Sequence, residues 1–576
     1  MNASPEPDLP TTLPGERLVW RDVLLLLVGC VPMFVALGQM QAYTGEGRAL
    51  GIALSMRQKG TWLTPDLYGE FWGFKPLLYF WCVAVASYVT GGVTELAGRL
   101  PAALSGAATV VMTGAIAARL FGRRAAVLAG WVLATAFSFW LWSRVASADT
   151  MNVAFATAAI LVYVDSIVRF RRWQPFVFFL LMGLGGNAKG LPAIILPIGV
   201  AGADILLNRR RELIREIKWF VAALPLGAAA YFLSYVLNYA VRHDWQMLSY
   251  MWWENVKRIY DPYDHHDNAF PYYFYILPAM FAPWSLWFPG AIGWAAKHFW
   301  QNRGLRFALT AFVVIFTAFT ASASRRSYYI LPIFPWCAIL VAGYIVELTR
   351  KQERAGLPGR LTPIRAGEPD RLWRALADWP LATLFVILPF AALALAAGRF
   401  LPGDPGVLVR TLPAGLVLVC LLSAAFGFFC LLIPIGVRDR LFIVSIALLL
   451  PLFVYAATAV DSLRDRLIPE RPFAQEMRKR FPGGKWVYYR VENSQMFFQL
   501  GQETEFYKPE DLRNFVAHSG TDPAKGYLVV TDGKNRKRLE ECGLFRTETL
   551  IESHLPAIPY RKRVKEGYCL LRVWNR

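Results

Sequence analysis

The chain has 576 residues, 56% of them hydrophobic and only 18% charged, with a mean hydropathy of +0.35. A soluble chain of this size carries roughly a quarter charged residues to cover its surface, so this composition argues against a soluble α-protein. The net charge of +20 is spread in short clusters between apolar runs, the inside-positive pattern of membrane loops, rather than gathered in the single patch that nucleic acid demands.

In chain order, residues 1–21 read as a polar, Pro-rich cytoplasmic tail without a leader-cleavage site. Arg17 and Arg21 precede a first apolar run at 22–42. A polar outer loop, 43–99, follows; within it 48–58 has helical apolar spacing, as an interfacial helix would. Two more runs, 76–91 and 100–118, precede the basic cluster Arg119, Arg123 and Arg124. If both crossed, that cluster would lie outside. The shorter run, rich in aromatics and ending in Gly91-Gly92, is therefore assigned to the outer interface.

Pairs of apolar runs come next: 125–142 with 150–168, 174–188 with 190–207, 219–240 with 272–294, 307–322 with 328–348, and 380–400 with 411–434. Each pair lies between basic clusters, the longest being the cytoplasmic loop 349–379. A last run, 441–460, exits. The fold class is thus mainly α, a polytopic membrane protein with about thirteen transmembrane helices. Residues 22–460 form the membrane domain. Residues 461–576 have soluble composition, with strand candidates at 485–490, 527–531 and 568–573 and helix candidates at 472–480 and 509–517, as a small extracytoplasmic α/β domain requires. Cys542 and Cys569 fall there and could pair in an oxidising compartment.

This topology brings five charged segments to the outer face, where a bilayer protein has reason to avoid charge. They are the loop holding Glu46, Arg48, Glu70 and Lys75; Arg144 to Asp149; the Gly/Pro-flanked Lys189; the long loop 242–271, with Glu254, Lys257, Arg258, Asp261 and the adjacent His265 and His266; and Ser324-Arg325-Arg326-Ser327-Tyr328-Tyr329. An arginine pair outside runs against the inside-positive bias, and guanidinium forks grip phosphate. Carboxylates and cations facing a lipid boundary suit a phosphate-bearing lipid: cations would hold the phosphate and a carboxylate would take a proton from an attacking hydroxyl.

The ordered set Gly45-Glu46-Gly47-Arg48, Tyr68-Gly69-Glu70-Phe71-Trp72-Gly73-Phe74-Lys75-Pro76-Leu77-Leu78-Tyr79-Phe80-Trp81, Arg99-Leu-Pro101, Arg144 to Asp149, Ala188-Lys-Gly190, Pro283-Trp284 and Ser324-Arg-Arg resembles the lipid-linked-sugar glycosyltransferases of the C superfamily. The likeness is to the bacterial aminoarabinose transferase and protein O-mannosyltransferase group. The resemblance implies a transferase in the bacterial cytoplasmic (inner) membrane, with its active site outside. It implies a polyprenyl-phosphate sugar as donor and a lipid, glycan or protein as acceptor, with inversion at the anomeric carbon. It implies Glu46 and Asp149 as catalytic acids, with Arg48, Lys75, Lys189, Arg325, Arg326 and Tyr328 at the donor phosphate. A divalent metal ion would be held through His265 or His266, with Glu70 nearby. Two positions depart from the pattern: the first acid of the group is Gly45 here, and the acid before Lys-Pro is Phe74. Two rival readings are a flippase of lipid-linked sugars, which predicts charge in mid-span, and a non-enzymatic scaffold, which has no use for the paired carboxylates and cations.

Overall fold

The computed structural model describes residues 13–42, 45–67, 70–257, 271–354, 470–491, 498–500, 505–518, 526–553 and 567–575, with a few isolated positions between 372 and 453. His265 and His266, and almost all of the runs 380–400, 411–434 and 441–460, lie outside them. The chain divides into two compact units: residues 1–35, 74–79 and 100–459, and residues 36–73, 80–99 and 460–576.

The elements run α1 (Trp20–Phe34), α2 (Glu46–Lys59), a two-residue hairpin of β1 (Asp66–Leu67) and β2 (Glu70–Phe71), α3 (Leu78–Val89), α4 (Glu95–Phe121), α5 (Arg123–Ala134), α6 (Phe137–Trp142), α7 (Asp149–Val168), α8 (Gln174–Ala188) and α9 (Pro192–Asn208). Then come α10 (Arg211–Arg215), α11 (Ile217–Arg242), α12 (Gln246–Trp252), α13 (Tyr272–Met280), α14 (Phe288–Lys297), α15 (Arg303–Ala321) and α16 (Phe334–Arg354). Among the described residues, five helices are long and apolar enough to cross a membrane: Glu95–Phe121, Asp149–Val168, Ile217–Arg242, Arg303–Ala321 and Ser327–Arg350. α3, on the run assigned to the interface, has only 12 residues. Leu24, Leu25, Leu27, Val28 and Val31 on α1, and Val221, Leu224 and Val236 on α11, are exposed, which in water would be a liability and in lipid is solvation.

Three runs expected to be continuous are broken, and the first of them, 272–294, is α13 and α14 with a short 3-10 turn at Trp284–Leu286 between. The run 125–142 is two helices: the Phe137 N–H leaves the helical pattern to donate to the Ala282 carbonyl at 2.9 Å, and Trp284 Nε1 donates to the Thr135 hydroxyl at 3.0 Å. The run 22–42 is helical only to Phe34: the buried Arg144 guanidinium takes the carbonyls of Pro32 and Val35 at 3.0 and 2.6 Å, completing acceptors that a helix end leaves open.

The helices of the first unit pack closely where side chains vanish. A Cβ on Gly183 of α8 would stand 2.3 Å from the Gly227 carbonyl of α11. One end of this bundle gathers the basic clusters: Arg119 pairs with Asp165, Arg123 with Asp22 at 2.9 Å and Arg210 with Asp204 at 3.0 Å. Arg350 donates to the Phe121 carbonyl at 2.9 Å. The opposite end carries Asp149, Lys189 and Ser324–Tyr329.

In the second unit, α17 (Glu470–Arg480), β3 (Trp486–Tyr489), β4 (Glu505–Phe506), α18 (Pro509–His518), β5 (Tyr527–Asp532), α19 (Gly533–Glu541), β6 (Phe545–Glu552) and β7 (Tyr568–Asn575) build a five-stranded sheet of order β4-β3-β5-β7-β6. β3 pairs in parallel with β4 and β5, and β7 antiparallel with β5 and β6. Both faces are covered. Trp486, Tyr488, Val530 and Leu570 pack with Phe473 and Met477 of α17, while Val487, Tyr489, Val529 and Leu571 pack with Leu512 of α18 and Leu539 of α19. This period-two alternation is what strands buried on both faces require. Cys542 and Cys569 are free thiols; Cys569 lies inside the sheet, and Cys542 Sγ donates to the Leu539 carbonyl at 3.0 Å.

Candidate active site

The first unit encloses a cavity of about 280 Å³. Its floor comes from the Gly186–Pro192 turn. α8 ends at Ala188, and Gly190 turns the chain at φ +136°, a conformation that L side chains rarely adopt. Pro192 then starts α9 at a position where a missing N–H is no loss. The Leu191 N–H donates to Asn255 Oδ1 at 3.1 Å, and Asn255 Nδ2 donates to the Met251 carbonyl at 3.0 Å. The turn is thereby tied to the loop after α12, which winds as a single π-helical turn at Trp253–Lys257, a form that recurs at functional sites. From α7, Asn152 Nδ2 donates to the carbonyls of Gly185 and Gly190 at 2.9 and 3.2 Å.

Two lysine–carboxylate pairs stand at the polar end. Lys189 Nζ pairs with Asp149 Oδ1, and Ser147 Oγ donates to the other oxygen, Oδ2. Asp149 opens α7, where the helix dipole favours a negative charge. Lys189 also lies over the rings of Tyr328 and Tyr329, at 5.5 and 4.9 Å from their centroids. Lys75 Nζ pairs with Glu254 Oε2. The neighbouring Phe74 ring stacks on Tyr250 at 4.1 Å and 18°, so the position where the resemblance implies an acid is here an aromatic anchor. The remaining wall is apolar, with Ile195 and Leu196 of α9 facing Ala318 and Phe319 of α15. Ile195 and Ile198 are exposed, so this side opens toward the lipid surface of the bundle.

The arginine pair stands behind this wall. Arg325 donates to the Thr320 carbonyl at 3.2 and 3.0 Å. Arg326 Nη1 donates to the Tyr328 hydroxyl at 2.9 Å. Tyr328 lines the cavity, and the two arginines are not among its lining residues.

The second unit holds the other residues singled out from the sequence. Glu46 begins α2 and is 1% exposed. Both of its oxygens accept from Arg99, Oε1 from Nε and Oε2 from Nη2, each at 2.8 Å. Arg99 donates further to the carbonyls of Leu37, Met40 and Gln41 at 2.9, 2.8 and 3.1 Å, using all five of its N–H groups. Arg48 is exposed, 5.6 Å from the centroid of the Trp72 ring. Glu70 is exposed on β2. Among the described residues, no three His, Cys, Asp or Glu side chains converge as a metal site requires. The carboxylates in the cavity each hold a lysine instead.

Glu254, Asn255, Asn152 and Arg99 were not singled out as site residues by sequence reasoning. Glu254 was one of several charges in a long loop with nothing to rank it. Arg99 was visible only as part of an Arg-Leu-Pro match. The asparagines act through backbone carbonyls, a role that composition does not announce.

Residues 74–235 match the family described as dolichyl-phosphate-mannose-protein mannosyltransferase. An uncharacterised protein of Aquifex aeolicus is 31% identical over 306 residues, 52% of this chain and 58% of that protein. The undecaprenyl phosphate-alpha-4-amino-4-deoxy-L-arabinose arabinosyl transferase of Edwardsiella ictaluri is 27% identical over 342 residues, 58% of this chain and 60% of its own length. The chain thus spans about three-fifths of the length of these relatives. In fold it is similar to ArnT from Cupriavidus metallidurans in the apo state, with a TM-score of 0.72 at 18% identity over 95% of this chain and 97% of that one. The same protein bound to undecaprenyl phosphate gives a TM-score of 0.71 at 20% identity over the same shares of the two chains. The fold is therefore that of ArnT, and the likeness read from the motifs is the one these comparisons return.

Proposed function

We propose that the chain is a glycosyltransferase that moves a sugar from a polyprenyl-phosphate donor to a lipid, glycan or protein acceptor at the outer face of a bacterial cytoplasmic membrane. The observation that carries this reading is the cavity itself. It joins two ammonium groups and two carboxylates to an apolar wall that opens between α9 and α15. A phosphate ester of a long isoprenoid has the matching chemistry: an anion for the lysines and a chain for the leucine–isoleucine wall.

In the proposed reaction, Lys75 and Lys189 hold the donor phosphate. The acceptor hydroxyl oxygen bonds to the anomeric carbon as the bond from that carbon to the phosphate oxygen breaks, so the configuration inverts. The hydroxyl proton passes to Asp149, and the lysines offset the charge that collects on the departing polyprenyl phosphate. Tyr328 shapes the lysine's place, with Arg326 holding the tyrosine hydroxyl, and Arg325 and Arg48 are proposed as further cationic contributors. Glu46, whose carboxylate is engaged on both oxygens by Arg99, is proposed to anchor the first outer loop. His265, His266 and Glu70 remain the sequence-derived candidates for a metal. The carboxylates of the cavity do not offer a metal's donor set, and no step here runs through one. The thirteen-crossing topology and the outward placement of the C-terminal sheet belong to the same proposal.

The rival flippase reading predicts charge in mid-span, but the cavity's charges lie at helix ends and turns. The test is transfer by purified protein from a radiolabelled polyprenyl-phosphate sugar to a membrane extract. Wild type should release polyprenyl phosphate, and Lys75→Met and Lys189→Met should each lower that release at least 30-fold while remaining monodisperse. A wild type that moves the donor across vesicles without consuming it would refute the proposal.

A further inference from the structure

Within the second unit, α17 does not end at the sheet it covers. Its second residue, Arg471, reaches the segment that precedes α2. The Arg471 backbone N–H donates to Gln41 Oε1 at 3.0 Å, and Nη1 donates to the Gln39 carbonyl at 3.0 Å. Nη2 pairs with Glu95 Oε1 at 2.6 Å, and Gln499 Nε2 donates to the same oxygen at 3.3 Å. Glu95 is the first residue of α4, and Arg99 sits one helical turn further on the same helix. The backbone carbonyl of Gln41 is one of Arg99's acceptors. One short turn, 37–41, is therefore gripped from two sides. Arg99 takes three of its carbonyls and Arg471 takes a fourth together with a side chain. Arg99 is also the partner of Glu46, so the turn and the Glu46 carboxylate share one guanidinium.

We propose that Arg471 is a positioning residue through which the C-terminal α/β segment fixes the first outer loop for sugar transfer. This rests on the function proposed above and extends it by giving the C-terminal segment a part in the reaction. Arg99 has no N–H left with which to restrain the 37–41 turn further. A second hold on the turn is Arg471, whose side chain is largely covered while Glu95 is more so. A partly covered guanidinium–carboxylate pair backed by a second donor from Gln499 keeps its geometry better than a surface pair. The turn precedes α2, so freedom at 37–41 becomes freedom in where Glu46 and α2 stand. A positional error of about 1 Å is enough to lower turnover roughly a hundredfold.

The test uses the full-length protein in detergent or nanodiscs. Arg471→Ala should lower kcat at least tenfold with the donor Kd within twofold of wild type, because the lysines that hold the phosphate are untouched. Exchanging the partners, as Arg471→Glu with Glu95→Arg, should recover at least a third of the lost rate. Independently of activity, amide hydrogen exchange over 37–59 should quicken at least tenfold in Arg471→Ala, with exchange in β5 and β7 unchanged. Wild-type kcat in Arg471→Ala, or unchanged exchange over 37–59, would overturn the inference. Slower transfer accompanied by faster exchange throughout the sheet would overturn it as well, since that is general unfolding. A wild type that transfers no sugar refutes the proposed function, and the exchange experiment still decides the coupling.

Discussion

Arg99 is the side chain whose loss should be felt most, and its effect can be estimated from its partners. It is 1% exposed and holds Glu46, also 1% exposed, through two charge-assisted bonds of 2.8 Å. It also satisfies the carbonyls of Leu37, Met40 and Gln41. Arg99→Ala strands the carboxylate, which costs about 3–5 kcal/mol when a buried pair loses one member. Each carbonyl left dry adds about 1–3 kcal/mol unless water reaches it. The sum approaches the whole stability of a typical domain, so the turn should not stay buried. Residues 37–41 and the start of α2 should come loose to reach water, limiting the observed loss to about 5 kcal/mol. Arg99→Lys keeps the charge but offers three donors where five are used, and should lose about half as much. Arg99→Met with Glu46→Leu removes the buried charge altogether and should recover most of the first term while leaving the carbonyl term. Thermal unfolding in detergent, followed by tryptophan emission and monodispersity, ranks the four proteins. Wild-type stability in Arg99→Ala refutes the accounting. A double variant no better than Arg99→Ala shows that the carbonyls, not the ion pair, carry the energy.

Gly190→Ala should destabilise the turn by about 2 kcal/mol, because the residue sits at φ +136° and the new Cβ would stand 2.2 Å from Asn255 Oδ1. The same variant should lose transfer more than Gly45→Ala, where nothing lies within 4 Å of an added Cβ; equal activities would argue against the turn's role. In the sheet, burial pushes the Cys569 thiol from its usual 9 up to about 11, so the native state favours the protonated form more strongly than the unfolded chain does. That contribution to stability is complete below about pH 9 and fades as pH rises toward 11. Maleimide should therefore label Cys542 and spare Cys569 at neutral pH, and Cys569→Ala should flatten the fall in sheet stability between pH 9 and 11. Rapid labelling of Cys569 in folded protein would contradict its burial.

How much was legible in the sequence depended on the kind of signal. The apolar runs marked the described helices within a few residues because hydrophobic length is a local property. The breaks at Thr135 and Phe34 were invisible, since they depend on Trp284 and Arg144 arriving from elsewhere in the chain. In the C-terminal segment, the strands at 486–489, 527–532 and 568–575 announced themselves as short, nearly continuous apolar runs. β6, with burial confined to Phe545 and Ile551, and α19, whose sequence GKNRKRLEE carries little apolar character, did not. At the site, Lys75, Asp149 and Lys189 stood out as charges at apolar boundaries, and the structure brings them to one cavity. Their partner Glu254 did not stand out, because a loop charge shows no periodicity. Glu46 was legible as a charge but not as a pair: that its carboxylate meets Arg99 is a fact of packing between residues 53 positions apart.

The resting charges of the cavity suggest how binding and chemistry are joined. Two ammonium groups held beside hydrocarbon without partners would be expensive, and each is accordingly neutralised by its own carboxylate. In the proposed reaction, a donor phosphate arriving there would compete with those carboxylates for the same lysines. In that reaction, as Lys189 turns to the phosphate, Asp149 keeps the Ser147 hydroxyl and gives up its ion pair, leaving Oδ1 open to the acceptor hydroxyl that needs a base. Donor binding thus arms the base. Asp149→Asn separates the two effects: Lys189 would be free of its competitor, so the donor should bind severalfold more tightly, while transfer should fall by a factor of a hundred or more. Isothermal titration with polyprenyl phosphate, paired with single-turnover transfer, measures both. Weaker donor binding in Asp149→Asn would show that the carboxylate helps to place Lys189 for the phosphate rather than competing for it, and the coupling argued here would fail.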